Sequence, residues 1–283
     1  MSPAFHDLTA AAGRSGPGTE DFPGAGPCAP LVGPGAGWLE ICVDCMASVE
    51  ACGEARVPRI ELCAGLVEGG TTPSIGFLRR ARAAYRGRIM MMIRPRAGDF
   101  VVSPAECGVM LDDIQAARDH GADGVVFGCL APDGTIDLAT AGRLVRAAEG
   151  LDITFHRAFD VCRELPAALE ALIGLGIPRV LTSGGEAGVE AGFESLVALQ
   201  RQAAGRIALL AGGGLKPEHF DRLRPHGFRE FHLSARTSVE SPMVYRRPDI
   251  PMGAAEVPGE YVRRQADPAL LRSLMSLLER PEA

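Results

Sequence analysis

The sequence predicts a (β/α)8 barrel, that is, a TIM barrel in the α/β class, built as a single domain. Two observations carry the prediction. Eight short apolar stretches rich in β-branched and aliphatic residues alternate with longer helical segments from Trp38 onward, the pattern of a parallel sheet with helical crossovers. The helical segments repeatedly close on a glycine, as at His120-Gly121, Leu175-Gly176 and His226-Gly227, with a strand following each time; glycine supplies the left-handed C-cap there. The length of 283 residues suits a barrel of about 250 residues plus an extension. A doubly wound open sheet is the alternative, but it calls for a glycine-rich first turn, and Val43-Asp44-Cys45-Met46 has no glycine.

In order, residues 1–37 read as a disordered tail. Gly13 to Gly37 is crowded with glycine and proline and shows no period, so it buries too little apolar surface to offset its ordering entropy. Residues 38–283 form the barrel domain. Strands are expected at 39–43, 59–63, 89–93, 124–127, 152–155, 179–181, 207–210 and 230–233. Helices are expected near 46–55, 75–85, 104–120, 138–148, 166–175 and 192–203, with a seventh from Pro217. A last helix spans about 268–280, begun by Asp267 as N-cap with Pro268 at the first helical position.

Composition excludes several functions. A net charge of -6 without a basic block argues against nucleic acid as a partner. No apolar run is long enough to span a bilayer, and the first residues lack the features of a secretory signal. A cytoplasmic protein is expected, with its eight cysteines as free thiols, mostly small buried hydrophobes. Lys216 is the single lysine; placed beyond a strand and before a proline, it makes Schiff-base chemistry a poor fit.

The segment Thr154-Phe155-His156-Arg157-Ala158-Phe159-Asp160 starts as a strand and ends in an imidazole, a guanidinium and a carboxylate. Barrels place their sites at the carboxyl ends of strands. His156, which titrates near neutral pH in its ordinary state, is the candidate general acid or base. Glu61, Arg94 and Asp160 complete a candidate catalytic set. Glu40-Ile41-Cys42 and Glu61-Leu62-Cys63 repeat on neighbouring strands, each Glu and Cys two apart and so on one face. The expected layering is two carboxylates together and two thiols above them. Buried carboxylates need partners, and Arg94 or Arg96 after the third strand could supply them or clamp an anion bidentately. Ser183 and Gly184 after the sixth strand, Gly213 after the seventh, and the loops they lie in offer backbone donors to an anion. With Glu40, Arg96, Arg157 and His232 they make up the candidate substrate-binding set. A structural salt-bridge network is the competing reading of these charges. The Cys42-x-x-Cys45 spacing would fit redox chemistry only in a thioredoxin-like order of elements, which is absent.

Taken together, seven segments resemble the CutC family of copper homeostasis proteins: Leu-Glu-Ile-Cys (39–42), Arg-Ile-Glu-Leu-Cys (59–63), Glu-Gly-Gly-Thr-Thr-Pro-Ser (68–74), Ile-Arg-Pro-Arg-Ala-Gly-Asp-Phe (93–100), Thr-Phe-His-Arg-Ala-Phe-Asp (154–160), Arg-Val-Leu-Thr-Ser-Gly-Gly (179–185) and Glu-Phe-His-Leu-Ser-Ala-Arg (230–236). The likeness runs from about Trp38 to Met252. It implies a cytoplasmic TIM barrel with a role in copper binding or trafficking, Cu(I) being the ion and Cys42 and Cys63 the metal ligands. Two thiols do not account for the surrounding carboxylates, arginines and histidines. An enzyme acting on a small polar or anionic metabolite, such as a sugar or sugar phosphate, therefore stands as the alternative. A copper ion or a small molecule is the expected partner, and a homo-oligomer is left open.

Overall fold

A computed structural model describes residues 37–250 and 259–280. All of the expected tail except Gly37 lies outside the described residues. Eight parallel strands close into a barrel in sequence order, β1 (Trp38–Val43), β2 (Arg59–Leu62), β3 (Arg88–Met92), β4 (Gly124–Phe127), β5 (Asp152–Phe155), β6 (Arg179–Thr182), β7 (Ala208–Gly212) and β8 (Glu230–Leu233), with β8 pairing back to β1. The crossovers are α1 (Met46–Glu54), α2 (Ile75–Ala84), α3 (Pro104–Asp119), α4 (Leu138–Ala147), α5 (Leu165–Gly174), α6 (Phe193–Ala203) and α7 (Pro217–Leu223). Local signals start them. Ser74 caps α2, and Ser103 with Glu106 forms a capping box ahead of Pro104 on α3.

One hairpin was not anticipated. Strands β9 (Arg236–Glu240) and β10 (Val262–Ala266) pair antiparallel outside the barrel. Both are polar and partly exposed, so neither carries the apolar alternation that marks a strand in sequence. The hairpin returns the chain to α8 (Pro268–Leu278), capped by Asp267 as expected. It is fastened by the Ala266 N–H donating to Ser48 Oγ at 2.9 Å and the Asp267 N–H donating to the Ala235 carbonyl at 2.8 Å. Leu271, Leu274 and Leu278 are buried.

Period-2 alternation sorts the strand residues into two environments. Leu39, Ile41 and Val43, Ile60 and Leu62, and Ile89, Met91 and Ile93 belong to one continuous apolar sleeve between strands and helices. The interior faces hold a much smaller apolar cluster of Cys63, Met90, Met92 and Val126. Toward the amino-terminal end the interior is ionic. Arg59, almost wholly buried, donates through Nε to Glu40 at 2.5 Å and through Nη2 to Glu230 at 2.6 Å. Arg179 reaches the same Glu230 oxygen at 2.6 Å, Asp152 at 3.0 Å and the Thr154 hydroxyl at 3.3 Å.

This network corrects the expected pairing. The partners of Glu40 are Arg59 and His232, not the loop arginines Arg94 and Arg96. The expected layering is displaced as well. The register sets Glu40 opposite Arg59 and Cys42 opposite Glu61, so the two Glu-x-Cys repeats are offset by one interior layer. The stagger of strands in a closed barrel produces this offset, and identical motifs on adjacent strands therefore do not face each other.

Removing one member of a buried ion network leaves the others charged and unpaired, at a cost of about 3–5 kcal/mol. Arg59→Met is expected to lose that much in urea denaturation. Arg59→Met/Glu40→Gln should recover part of the loss, because it also removes one of the stranded charges.

Candidate functional site

The carboxyl ends of the strands surround a cavity of about 680 Å³ lined by Cys42, Glu61, Arg94, His156, Arg157, Asp160, Gly213 and His232, with Phe100, Met92, Lys216 and Arg236 among the further contacts. Eight of the residues singled out in the sequence thus meet at one mouth. Five do not line it. Glu40 lies beneath the cavity in the ionic layer. Cys63 sits in the apolar interior cluster. Ser183 and Gly184 lie behind Asp160. Arg96 points outward and is engaged by Glu106 at 2.5 Å, Asp99 at 3.0 Å and the Val101 carbonyl at 2.9 Å, so it does not serve the mouth.

On one side of the cavity three donor atoms converge. One atom each from Cys42, Glu61 and His232 lie within 4.8 Å of one another, all three residues buried. Beneath them His232 Nδ1 is 2.8 Å from Glu40. Burial would raise the Glu40 carboxyl, but Arg59 and His232 hold it down at about 2. Glu40 is therefore an ionised, acceptor-only group, and the proton of this contact sits on Nδ1. The Nε2 atom of His232 then faces the cavity, 3.8 Å from Glu61. A carboxylate that fixes a histidine tautomer from behind is the usual support of a metal-ligating imidazole. Burial alone would lower the His232 pKa; the carboxylates of Glu61 and Glu40, with Cys42, raise it well above the ordinary value. Burial raises the Glu61 carboxyl, opposed by His232 and reinforced by the charge of Glu40. Cys63 donates its thiol hydrogen to Glu61 at 3.4 Å, and burial together with Glu61 pushes its pKa well up. Cys63 is held as a thiol beside the cluster and is not part of it.

The opposite side is built by β5 and the turns after β3 and β6. His156 is 4 % exposed, and its Nδ1 accepts the Ala158 N–H at 3.1 Å. Gly128 gives the ring its space, since a Cβ there would stand 2.4 Å from His156 Cε1. Burial, with the charge of Arg94, lowers the His156 pKa to about 3. His156 is consequently neutral with its proton on Nε2, and it presents an N–H donor to the cavity. A buried neutral histidine of this kind polarises an oxygen, as in the triosephosphate isomerase pattern. Arg94 spends Nη1 on the carbonyls of Glu68 (2.8 Å) and Gly70 (3.0 Å) and Nη2 on that of Gly98 (2.8 Å), which ties together the loops after β2 and β3.

Asp160, expected in the catalytic set, is engaged by its own chain. Its carboxylate accepts from Thr182 Oγ1 (2.6 Å), the Ser183 N–H (3.0 Å) and hydroxyl (3.0 Å), the Gly185 N–H (3.1 Å) and Arg157 Nε (2.7 Å). The Gly184 N–H goes to Thr182 Oγ1. The glycine turn after β6, expected to receive a ligand anion, already holds one from its own chain. Asp160 in turn aims Arg157 at the mouth, where the absence of a side chain on Gly213 admits the guanidinium: a Cβ there would be 2.9 Å from Arg157 Cζ. Phe100 and Arg236 were not singled out individually as site residues, although both lie within motifs quoted above. Their alternation and charge look like those of ordinary loop residues.

The fold and this mouth define a TIM barrel with a metal-competent Cys/Glu/His cluster facing a polar wall. The chain belongs to the CutC family, whose model matches residues 38–237. A CutC family protein of Bacteroides thetaiotaomicron is 48% identical over 227 residues, 80% of this chain and 91% of that one. The human protein named copper homeostasis protein cutC homolog is 42% identical over 240 residues, 84% of this chain and 88% of that one. The crystal structure of a CutC protein from Streptococcus agalactiae superposes with a TM-score of 0.66 at 30% identity, covering 70% of this chain and 98% of that one.

Because His156 is neutral in the fold down to about pH 3 while an unfolded histidine titrates near 6.5, the unfolded chain binds the extra proton between these values. The contribution is fully present above pH 6.5 and is lost as pH falls toward 3, with a slope approaching about 1.4 kcal/mol per pH unit. Stability measured from pH 4 to 6 should fall less steeply for His156→Asn than for the parent chain, by close to one proton.

Proposed function

We propose that this chain is a cytoplasmic copper-binding protein of copper homeostasis. One observation supports the reading above all others: the convergence of thiol, imidazole and carboxylate from Cys42, His232 and Glu61 within 4.8 Å. Thiolate and imidazole are the donors that suit Cu(I). Cys42 and His232 Nε2 are its principal ligands in this reading, with Glu61 beside them. Cys63 can join only by leaving its hydrogen bond to Glu61, so the two-thiol site implied by the family resemblance needs a rearrangement. No described helix is long and apolar enough to cross a membrane.

The carboxylates around His232 favour its protonated form, whereas a metal needs the neutral imidazole, so affinity rises with pH. In anaerobic Cu(I) titrations against a competing chelator, Cys42→Ser is expected to lose at least about a hundredfold in affinity. Glu40→Gln should lose about 10–100-fold through the support it gives His232, and Cys63→Ser less than either. Equal losses from Cys42→Ser and Cys63→Ser would favour the two-thiol site. Unchanged uptake by the double variant would end the copper reading.

A second reading, an enzyme acting on a small polar or anionic metabolite, is favoured by separate observations. The cavity is large for a lone ion, and Glu61 Oε1, Arg94 Nε and His156 Nε2 are buried without a hydrogen-bond partner among the described residues. Buried polar atoms without partners are costly, and with Arg236 Nε there are four such atoms on residues of one mouth among the described residues, which mark where a ligand's polar atoms would go. In this reading Glu61 is the proton-accepting carboxylate, while His156 and Arg94 hold the substrate and Arg157 guards the rim.

A further inference from the structure

Of the four unpartnered atoms at the mouth, Arg236 Nε comes from the start of β9; the other three are sorted by chemistry. His156 Nε2 and Arg94 Nε are donors, and Glu61 Oε1, when the carboxylate is ionised, is an acceptor. The donors belong to one wall. The Arg94 guanidinium lies 4.9 Å from the centre of the Phe100 ring, and the His156 ring packs on the same phenyl group at 5.0 Å. The acceptor comes from β2, on the Cys42 side of the cavity. We propose that the His156–Arg94–Phe100 wall binds the carboxylate of a small hydroxy acid, whose hydroxyl donates across the cavity to Glu61.

This rests on the small-molecule reading of the mouth and adds the ligand class. Two donors from different groups on one wall match the two oxygens of a carboxylate. The wall also carries a single positive charge. Arg94 is the cation, and His156, whose Nδ1 is committed to the Ala158 N–H, offers its N–H as a neutral group. Three of the Arg94 donor contacts are fixed on backbone carbonyls, so the side chain cannot swing to form the fork that a phosphate dianion prefers. The face of Phe100 suits the flat, weakly hydrated side of a carboxylate-bearing carbon chain. At the other pole, a small molecule satisfies Glu61 Oε1 with its own O–H or N–H.

Glycolate is the smallest probe with both groups. Acetate lacks the hydroxyl, ethylene glycol lacks the carboxylate, and inorganic phosphate tests the dianion. Binding is read on the full chain by thermal denaturation and by calorimetric titration, with the imidazole ¹⁵N resonances of His156 as a local reporter. Glycolate should raise the melting temperature and bind at least about tenfold more tightly than acetate, ethylene glycol or phosphate. It should also move the Nε2–H signal of an imidazole that stays neutral at pH 6. In His156→Asn the amide oxygen takes the place of Nδ1 opposite Ala158 while the cavity donor is removed. That variant should fold and lose at least about tenfold in glycolate affinity. His156→Gln, which places an amide N–H near the position of Nε2, should retain more binding than His156→Asn. Equal glycolate binding by the parent and His156→Asn overturns the assignment. So does a preference for phosphate or ethylene glycol, which leaves a small-molecule site standing with another ligand class. If none of the four probes binds or moves the His156 signal, the small-molecule reading falls together with the assignment.

Discussion

The pairing of Arg59 with Glu40 and Glu230 is the constraint on which the rest of the molecule depends. A TIM barrel ordinarily fills its interior with layers of branched aliphatic side chains. Here the lower interior is instead a chain of charges that runs Glu40, Arg59, Glu230, Arg179 and Asp152, and so links β1, β2, β8, β6 and β5. Desolvating so many charges is tolerable only when each finds its partner at hydrogen-bonding distance. The alignment of the five strands is thereby fixed with little tolerance. A strand that slid by two residues would keep its apolar face in the sleeve but would strand an ion inside.

The same network sets the chemistry above it. Arg59 keeps Glu40 ionised, and ionised Glu40 holds the Nδ1 proton of His232. That leaves Nε2 as the atom that meets Cys42 and Glu61. The site is thus supported from below by the element that aligns the strands, and stability and tautomer are two effects of one arrangement. On the far side, His156 is controlled by local means, a backbone N–H and the open space at Gly128. The two histidines of the mouth are in opposite states for this reason: carboxylates surround one, and the other has only Arg94 and an apolar ring.

Much of this was legible in the sequence. The eight strands, the helices and the meeting of Cys42, Glu61 and His232 at one end follow from alternation and from the position of each residue in its strand, whereas Arg94, His156, Arg157 and Asp160 come from the turns just beyond β3 and β5. What could not be read was relative position between strands. Glu40 and Glu61 occupy identical motifs, yet one is the base of the ionic layer and the other faces the cavity, because register is a property of the closed sheet and not of either strand. Arg59 and Arg179 begin their strands and have no feature of their own that separates a buried ion from a surface one. The role of His156 as a donor depends on the Ala158 N–H, which folds back on the ring only once the turn after β5 forms. Arg96 and Arg94 are two residues apart beyond the end of β3, where alternation no longer dictates direction, and they diverge.

The turn around Asp160 has a bearing on selectivity. A glycine-lined nest of backbone donors after β6 is the kind of place where a barrel can acquire affinity for free anions. In this chain it is occupied by the Asp160 carboxylate from the turn after β5, 22–25 residues earlier in sequence, which accepts five hydrogen bonds. A dissolved competitor would have to displace a group whose effective concentration is on the order of millimolar or higher by virtue of its tether. Asp160 thus takes up, from within the chain, donors that a dissolved anion would otherwise meet, while holding Arg157 beside it.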